Sequence, residues 1–176
     1  LALSDKKAME IQTKIEGFII RDADKRDCGL ILSFIKELAE YEKLLPEVQA
    51  TEETLAHSLF STEPCAKAII GEFEGTPVGY ALFFTNFSTF TGRPGIYLED
   101  LYVSPNMRGK GFGKSLLAYL AKLAHEKNYT RVEWSVLDWN EPSIQFYRSI
   151  GAIPMDGWTV QRLHGQGLEN FAKQFD

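Results

Sequence analysis

The 176-residue chain is 44% apolar and 12% aromatic, enough for one domain with a sizeable buried core. Its net charge of −5 argues against a nucleic-acid binder, which carries a basic footprint. No apolar run approaches the roughly 20 residues of a membrane span, so the expectation is a cytoplasmic protein with no membrane partner.

Residues 1–16 are polar, lack a signal-peptide core and read as a flexible N-terminal extension, leaving one domain over 17–176. Phe18-Ile19-Ile20-Arg21 predicts a first strand. A helix follows, capped by Asp24 or Asp27, with Leu30, Ile31, Phe34, Ile35, Leu38 and Ala39 at spacings of three and four. It ends before Pro46. Thr51 predicts the N-cap of a second helix, with Glu52 and Glu53 favourable in its first turn. Six glutamates and one lysine between Glu37 and Glu53 make either a solvated face or an acidic rim that attracts an amine.

Lys67–Glu74 and Pro77–Phe87 predict a hairpin turning at Glu74-Gly75-Thr76-Pro77. Phe87 and Phe90 either join the core or wall a pocket. The run Ile96 to Val103 predicts a strand with Glu99 and Asp100 near its end. A helix over about 111–127 follows, capped by Asn128. Arg131–Leu137 predicts a strand, and Pro142 opens a helix that Gly151 can close. Ile153–Met155 and Thr159–Leu163 read as final strand pieces, and a short helix ends the chain. The order β-α-α-β-β-β-α-β-α-β predicts an α/β (α+β) domain around one mixed sheet.

The densest chemistry lies at Arg108-Gly109-Lys110-Gly111-Phe112-Gly113-Lys114. Three alternate glycines let backbone amides approach an anion, and the following helix start adds unpaired amides and a positive dipole end. Arg108 and Lys110 add charge, so the stretch reads as a pyrophosphate cradle. It is not a P-loop, because that motif's first glycine falls on Arg108, and the glycine spacing also misses the dinucleotide fingerprint. Cys28, Cys65, His57, His125 and His164 show no metal-ligand spacing, so no metal is expected.

This bend resembles the acyl-CoA-binding signature of the GNAT N-acetyltransferases, Gln/Arg-x-x-Gly-x-Gly/Ala. A second family motif is similar to Val136–Tyr147, where Tyr147 follows Asn140 by seven residues and Gly151-Ala152 comes next. Ile35–Glu42, Tyr97–Asp100 and Trp139–Ser143 are similar to the diamine (spermidine/spermine) N-acetyltransferases and to the sister thialysine N-acetyltransferases. Tyr41–Leu44 and Val136–Asn140 lean toward the thialysine branch.

The resemblance implies a mostly antiparallel sheet with helices on both faces and a splayed strand pair that holds acetyl-CoA. It implies that Leu101, Tyr102 and Val103 bind the pantetheine arm, that the Arg108–Lys114 stretch, including Phe112, holds the pyrophosphate, and that Asn140 and Ser143 contact the cofactor. It implies Tyr147 as the general acid toward the leaving thiolate and Glu99 as acceptor of the amine proton, directly or through water. Tyr41, Glu42, Glu99, Asp100 and Asp156 correspond to substrate-contacting positions. Glu99 and Asp100, neighbours on a strand, are expected on opposite faces, with Asp100 the more structural acid. A homodimer is implied by the resemblance alone. The expected activity is acetyl transfer by direct attack of a primary amine on a small cationic molecule. The alternatives are a peptide or other metabolite amine, and a non-catalytic acyl-CoA-binding protein.

Overall fold

The computed structural model describes residues 10–175. They divide into two compact units, one reaching to Ser135 and one beginning at Val136. The first unit is built on a six-stranded sheet whose strands lie in chain order. These are β1 (Glu10–Gln12), β2 (Phe18–Asp22), β3 (Lys67–Phe73), β4 (Thr76–Ser88), β5 (Arg93–Val103) and β6 (Val132–Trp134). All neighbours pair antiparallel except β5 and β6. That parallel pair requires a crossover, which α3 (Phe112–Glu126) supplies.

α1 (Cys28–Tyr41) and α2 (Glu52–Phe60) cover one face. Their Ile31, Phe34, Leu55 and Leu59 share a core with Ala68, Ile70, Tyr80, Leu82 and Tyr102 of the sheet. Each fully buried aliphatic side chain contributes about 1.5–3 kcal/mol. On the other face Phe112, at the start of α3, stacks on Phe18 at 4.3 Å and meets Phe73 at 5.1 Å.

The helix boundaries follow the local chemistry. Thr51 accepts from the Thr54 amide, and Thr54 accepts from the Thr51 amide in return. Asp24 caps a short 3-10 turn, Lys25–Asp27, that leads into α1. Lys43 (φ 62°) ends α1 and Asn128 (φ 57°) ends α3, each in the left-handed region, with the next amides bonding back to Ala39 and Ala124. Glu74 and Gly75, both at positive φ, form the β3–β4 turn.

Two expectations change. Residues 10–12, read as outside the fold, extend the sheet as β1, with Ile11 opposite Ile20. Three residues carry too little alternation to announce a strand, and the open edge of β2 supplies the pairing. Residues 1–9 lie outside the described residues. Residues 153–155 and 159–163 are not strands. A strand exists through its ladder, and neither segment has one among the described residues.

The second unit holds α4 (Glu141–Ser149) and α5 (Gly165–Ala172). Gly151, at φ 88°, closes α4 as expected, with the Ala152 amide returning to the Tyr147 carbonyl at 3.0 Å. No helix of the described residues is long and apolar enough to cross a membrane.

Candidate active site

β5 is not a uniform strand. Leu98 lies opposite Phe83 and Asp100 opposite Leu82, so Glu99 is the extra residue of a β-bulge. Phe83 and Leu82 are successive residues of β4 and face opposite sides. Leu98 and Asp100 therefore also face opposite sides, where an unbroken pleat would align them. The expectation for Glu99 and Asp100 assumed that unbroken pleat, which is absent here. Past the bulge, Asp100 and Tyr102 turn toward the α1 side.

The β5–β6 ladder stops at the same place. It joins Ile96 to Val132, Tyr97 to Glu133 and Leu98 to Trp134, and goes no further. Asp100 to Val103 stay paired with β4, and none of Glu99 to Val103 has a ladder to β6. Beyond Leu98, β5 thus has an edge that β6 does not cover, and it carries Leu101, Tyr102 and Val103.

On the α1 side, Tyr80 donates to Asp100 Oδ2 at 2.5 Å. Burial pushes the Asp100 carboxyl above the usual range, and the Tyr80 bond opposes this. Burial, and then the Asp100 charge, pushes the Tyr80 hydroxyl well up. Glu42, from the end of α1, is raised by burial and then by Asp100. Glu42, Asp100 and Tyr80 thus form one acidic group. Beside it Tyr102 donates to Glu37 Oε2 at 2.7 Å, and burial followed by this bond pushes its hydroxyl to about 12. Glu99 is exposed.

The glycine-rich bend follows immediately. Gly109 (φ 78°) and Gly111 (φ 85°) adopt a backbone that other residues reach only under strain. Gly111 is the N-cap of α3, which has no side-chain cap, so its first amides point outward for an anion. Phe112 is 2% exposed and belongs to the core, leaving only its backbone for a ligand. Lys110 Nζ lies over the Phe73 ring at 5.4 Å, and Lys114 is exposed. Arg108 donates from Nε to the Val103 carbonyl at 2.9 Å.

Asn140, Ser143, Tyr147 and Asp156 lie in the second unit. Asn140 is buried at the N-terminus of α4, and Ser143 and Tyr147 are half-buried on that helix. Tyr147 packs against Phe146, with ring centroids 5.4 Å apart. Asp156 is exposed. Phe87 and Phe90 are 59% and 92% exposed, so neither joins the core.

Sequence reasoning missed Tyr80 and Glu37. A phenol within the apolar run Pro77–Phe87 needs a polar partner, which was the available clue to Tyr80. Glu37 sits one helical turn before Tyr41, which places both on one face of α1.

The acetyltransferase (GNAT) family matches residues 32–152, more than half of the chain. This chain belongs to the GNAT acetyltransferase family. It is 38% identical to the thialysine N-epsilon-acetyltransferase of Sus scrofa over 165 residues, 88% of this chain and 96% of that one. It is 32% identical to the spermidine/spermine N(1)-acetyltransferase-like protein 1 of Homo sapiens, over 92% of this chain and 24% of that one. An integron cassette protein from the V. cholerae mobile metagenome shares the fold with a TM-score of 0.75, at 30% identity, covering 89% of this chain and 98% of that one.

Proposed function

We propose that the chain transfers an acetyl group from acetyl-CoA to a primary amine of a small cationic molecule of the diamine or thialysine type. The observation that carries this reading is the layout of β5, which runs from an acidic bulge to a glycine-rich bend. At roughly 3.3 Å per residue, Glu99 to Val103 spans about 13 Å, comparable to an extended pantetheine arm. The peptide groups along that edge can pair with the arm's amides. The Gly109 and Gly111 backbone and the uncapped start of α3 suit a pyrophosphate. The Glu42–Asp100 group, with no cation of its own in the cluster described, suits an ammonium.

Acetyl-CoA supplies an acetyl group activated as a thioester. An ammonium with a pKa of about 10.4 must lose its proton before it attacks, which costs about 4.6 kcal/mol at neutral pH. Glu99 accepts that proton, directly or through water. The amine nitrogen then bonds to the acetyl carbon as the carbon–sulfur bond breaks. Tyr147 gives its proton to the departing thiolate, and the second proton that the nitrogen loses on becoming an amide returns through solvent to restore the Tyr147 phenol. Tyr41, Glu42, Asp100 and Asp156 hold the amine; Asn140 and Ser143 hold the donor. The family match at 32–152 includes residues of both units. A homodimer completes the proposal.

The relatives' names support a cationic amine and leave its identity to experiment. Thiol release from acetyl-CoA, measured across thialysine, lysine, spermidine, spermine, putrescine and a lysine peptide, tests the reading. Turnover highest with a small diamine or thialysine is expected. Turnover highest with the peptide, or acetyl-CoA binding without thiol release, would overturn it.

A further inference from the structure

We propose that Tyr41 is a positioning residue for the acyl-donor side of the site, acting through Arg108. Tyr41 is the last residue of α1 and Arg108 opens the glycine-rich bend. The Arg108 guanidinium carbon lies 4.9 Å from the Tyr41 ring centroid and 5.6 Å from that of Tyr102. Its Nε is fixed on the Val103 carbonyl at 2.9 Å. Two aromatic rings and one directed hydrogen bond thus set the plane of a guanidinium whose own side chain is exposed.

The Tyr102 ring is itself anchored. Tyr102 is 4% exposed and donates to Glu37, which lies one turn before Tyr41 on the same helix. The last turn of α1 therefore touches the bend twice, once through Glu37 and Tyr102 and once through Tyr41. A long, mobile arginine loses rotamer freedom when it captures a phosphate oxygen. Fixing it beforehand lowers that cost, so the Tyr41 ring raises affinity for an anionic donor that it need not touch. Tyr41 is then more than an amine contact, because it connects the amine-facing end of α1 to the anion-facing bend.

This inference rests on the proposed acetyl-CoA reading. Coenzyme A binding, measured by calorimetry, is compared for wild type, Tyr41→Phe, Tyr41→Leu, Arg108→Ala and the Tyr41→Leu/Arg108→Ala double variant. Loss of the ring in Tyr41→Leu is expected to weaken binding roughly two- to five-fold, the range of an exposed cation–π contact. Tyr41→Phe, which keeps the ring, is expected to restore wild-type affinity. The double variant is expected to match Arg108→Ala alone. Wild-type affinity in Tyr41→Leu, or losses that simply add in the double variant, would overturn the positioning role. Wild-type protein that binds no coenzyme A would overturn the functional reading instead. In that case a ligand-free urea cycle over the same variants decides the contact itself, and zero coupling between Tyr41 and Arg108 overturns it.

Discussion

Tyr80 and Asp100 lie diagonally across the β4–β5 ladder, and the Tyr80 hydroxyl donates to the Asp100 carboxylate at 2.5 Å. The phenol ring is 0% exposed, so the bond spans the inner edge of the core that α1 covers. It gives a half-buried carboxylate a neutral partner, where a cationic one would cancel the charge available to an amine.

Tyr80→Phe keeps the ring and removes the donor. A carboxylate left without its hydrogen bond costs about 1–3 kcal/mol. The expected result is a loss of that size in urea denaturation at neutral pH. An unchanged midpoint would mean that Asp100 finds another donor.

The pH dependence of stability is the second expectation. Burial holds the Asp100 carboxyl above its ordinary value. From that ordinary value, about 3.9, up to the raised one, the folded chain keeps a proton that the unfolded chain has released. Stability therefore falls as pH rises through this window and recovers as pH falls through it. Asp100→Asn removes the contribution while its amide oxygen still accepts from Tyr80. The stability of the variant relative to wild type is expected to rise with pH across the window and to level off above it. A flat difference between the two denaturation series would contradict the raised carboxyl.

Gly111→Glu places a side chain and a negative charge at the mouth of α3. The positive φ costs about 1–2 kcal/mol in a residue with a Cβ. Coenzyme A affinity is expected to fall at least about tenfold, since the charge opposes the pyrophosphate at the helix dipole. Gly92→Ala is the control, because Gly92 also has positive φ but lies in the β4–β5 turn, with open space around it. Its coenzyme A affinity is expected to stay at the wild-type level. Equal binding by wild type and Gly111→Glu would move the anion site elsewhere.

Tyr147→Phe tests the proposed acid. Turnover is expected to drop roughly 100-fold, within the range of general-acid contributions. Acetyl-CoA affinity is expected to change little. Unaltered turnover in steady-state thiol release would remove Tyr147 from the chemistry.

Much of this was legible in the chain because its determinants are local. Thr51 announces a helix start through its own side chain, Glu74-Gly75 a turn through their backbone freedom, and Asn128 a helix end through its tolerance of positive φ. The glycine-rich bend and the Asn140-to-Tyr147 spacing carried the family. The determinants of the acidic group are not local. Which residue of β5 bulges depends on the register with β4, and that register is set by packing far along the chain. The pairing of Tyr80 with Asp100 joins positions twenty residues apart, and that of Tyr102 with Glu37 joins positions sixty-five apart. Neither has a spacing rule. Residues 153–155 and 159–163 show the reverse failure, where strand-like composition stood without a partner strand.

The residue at position 99 is extra to the pairing of β5 with β4. The first half of β5 answers to α3 and its second half to α1, and one residue separates the two phases. Deleting that residue would join Leu98 directly to Asp100, and a regular pleat would still put the two on opposite sides, with Asp100 opposite Leu82. The Glu99 side chain is exposed. The register of β5 on β4 therefore does not need position 99, and what the bulge supplies there is a residue left available to chemistry.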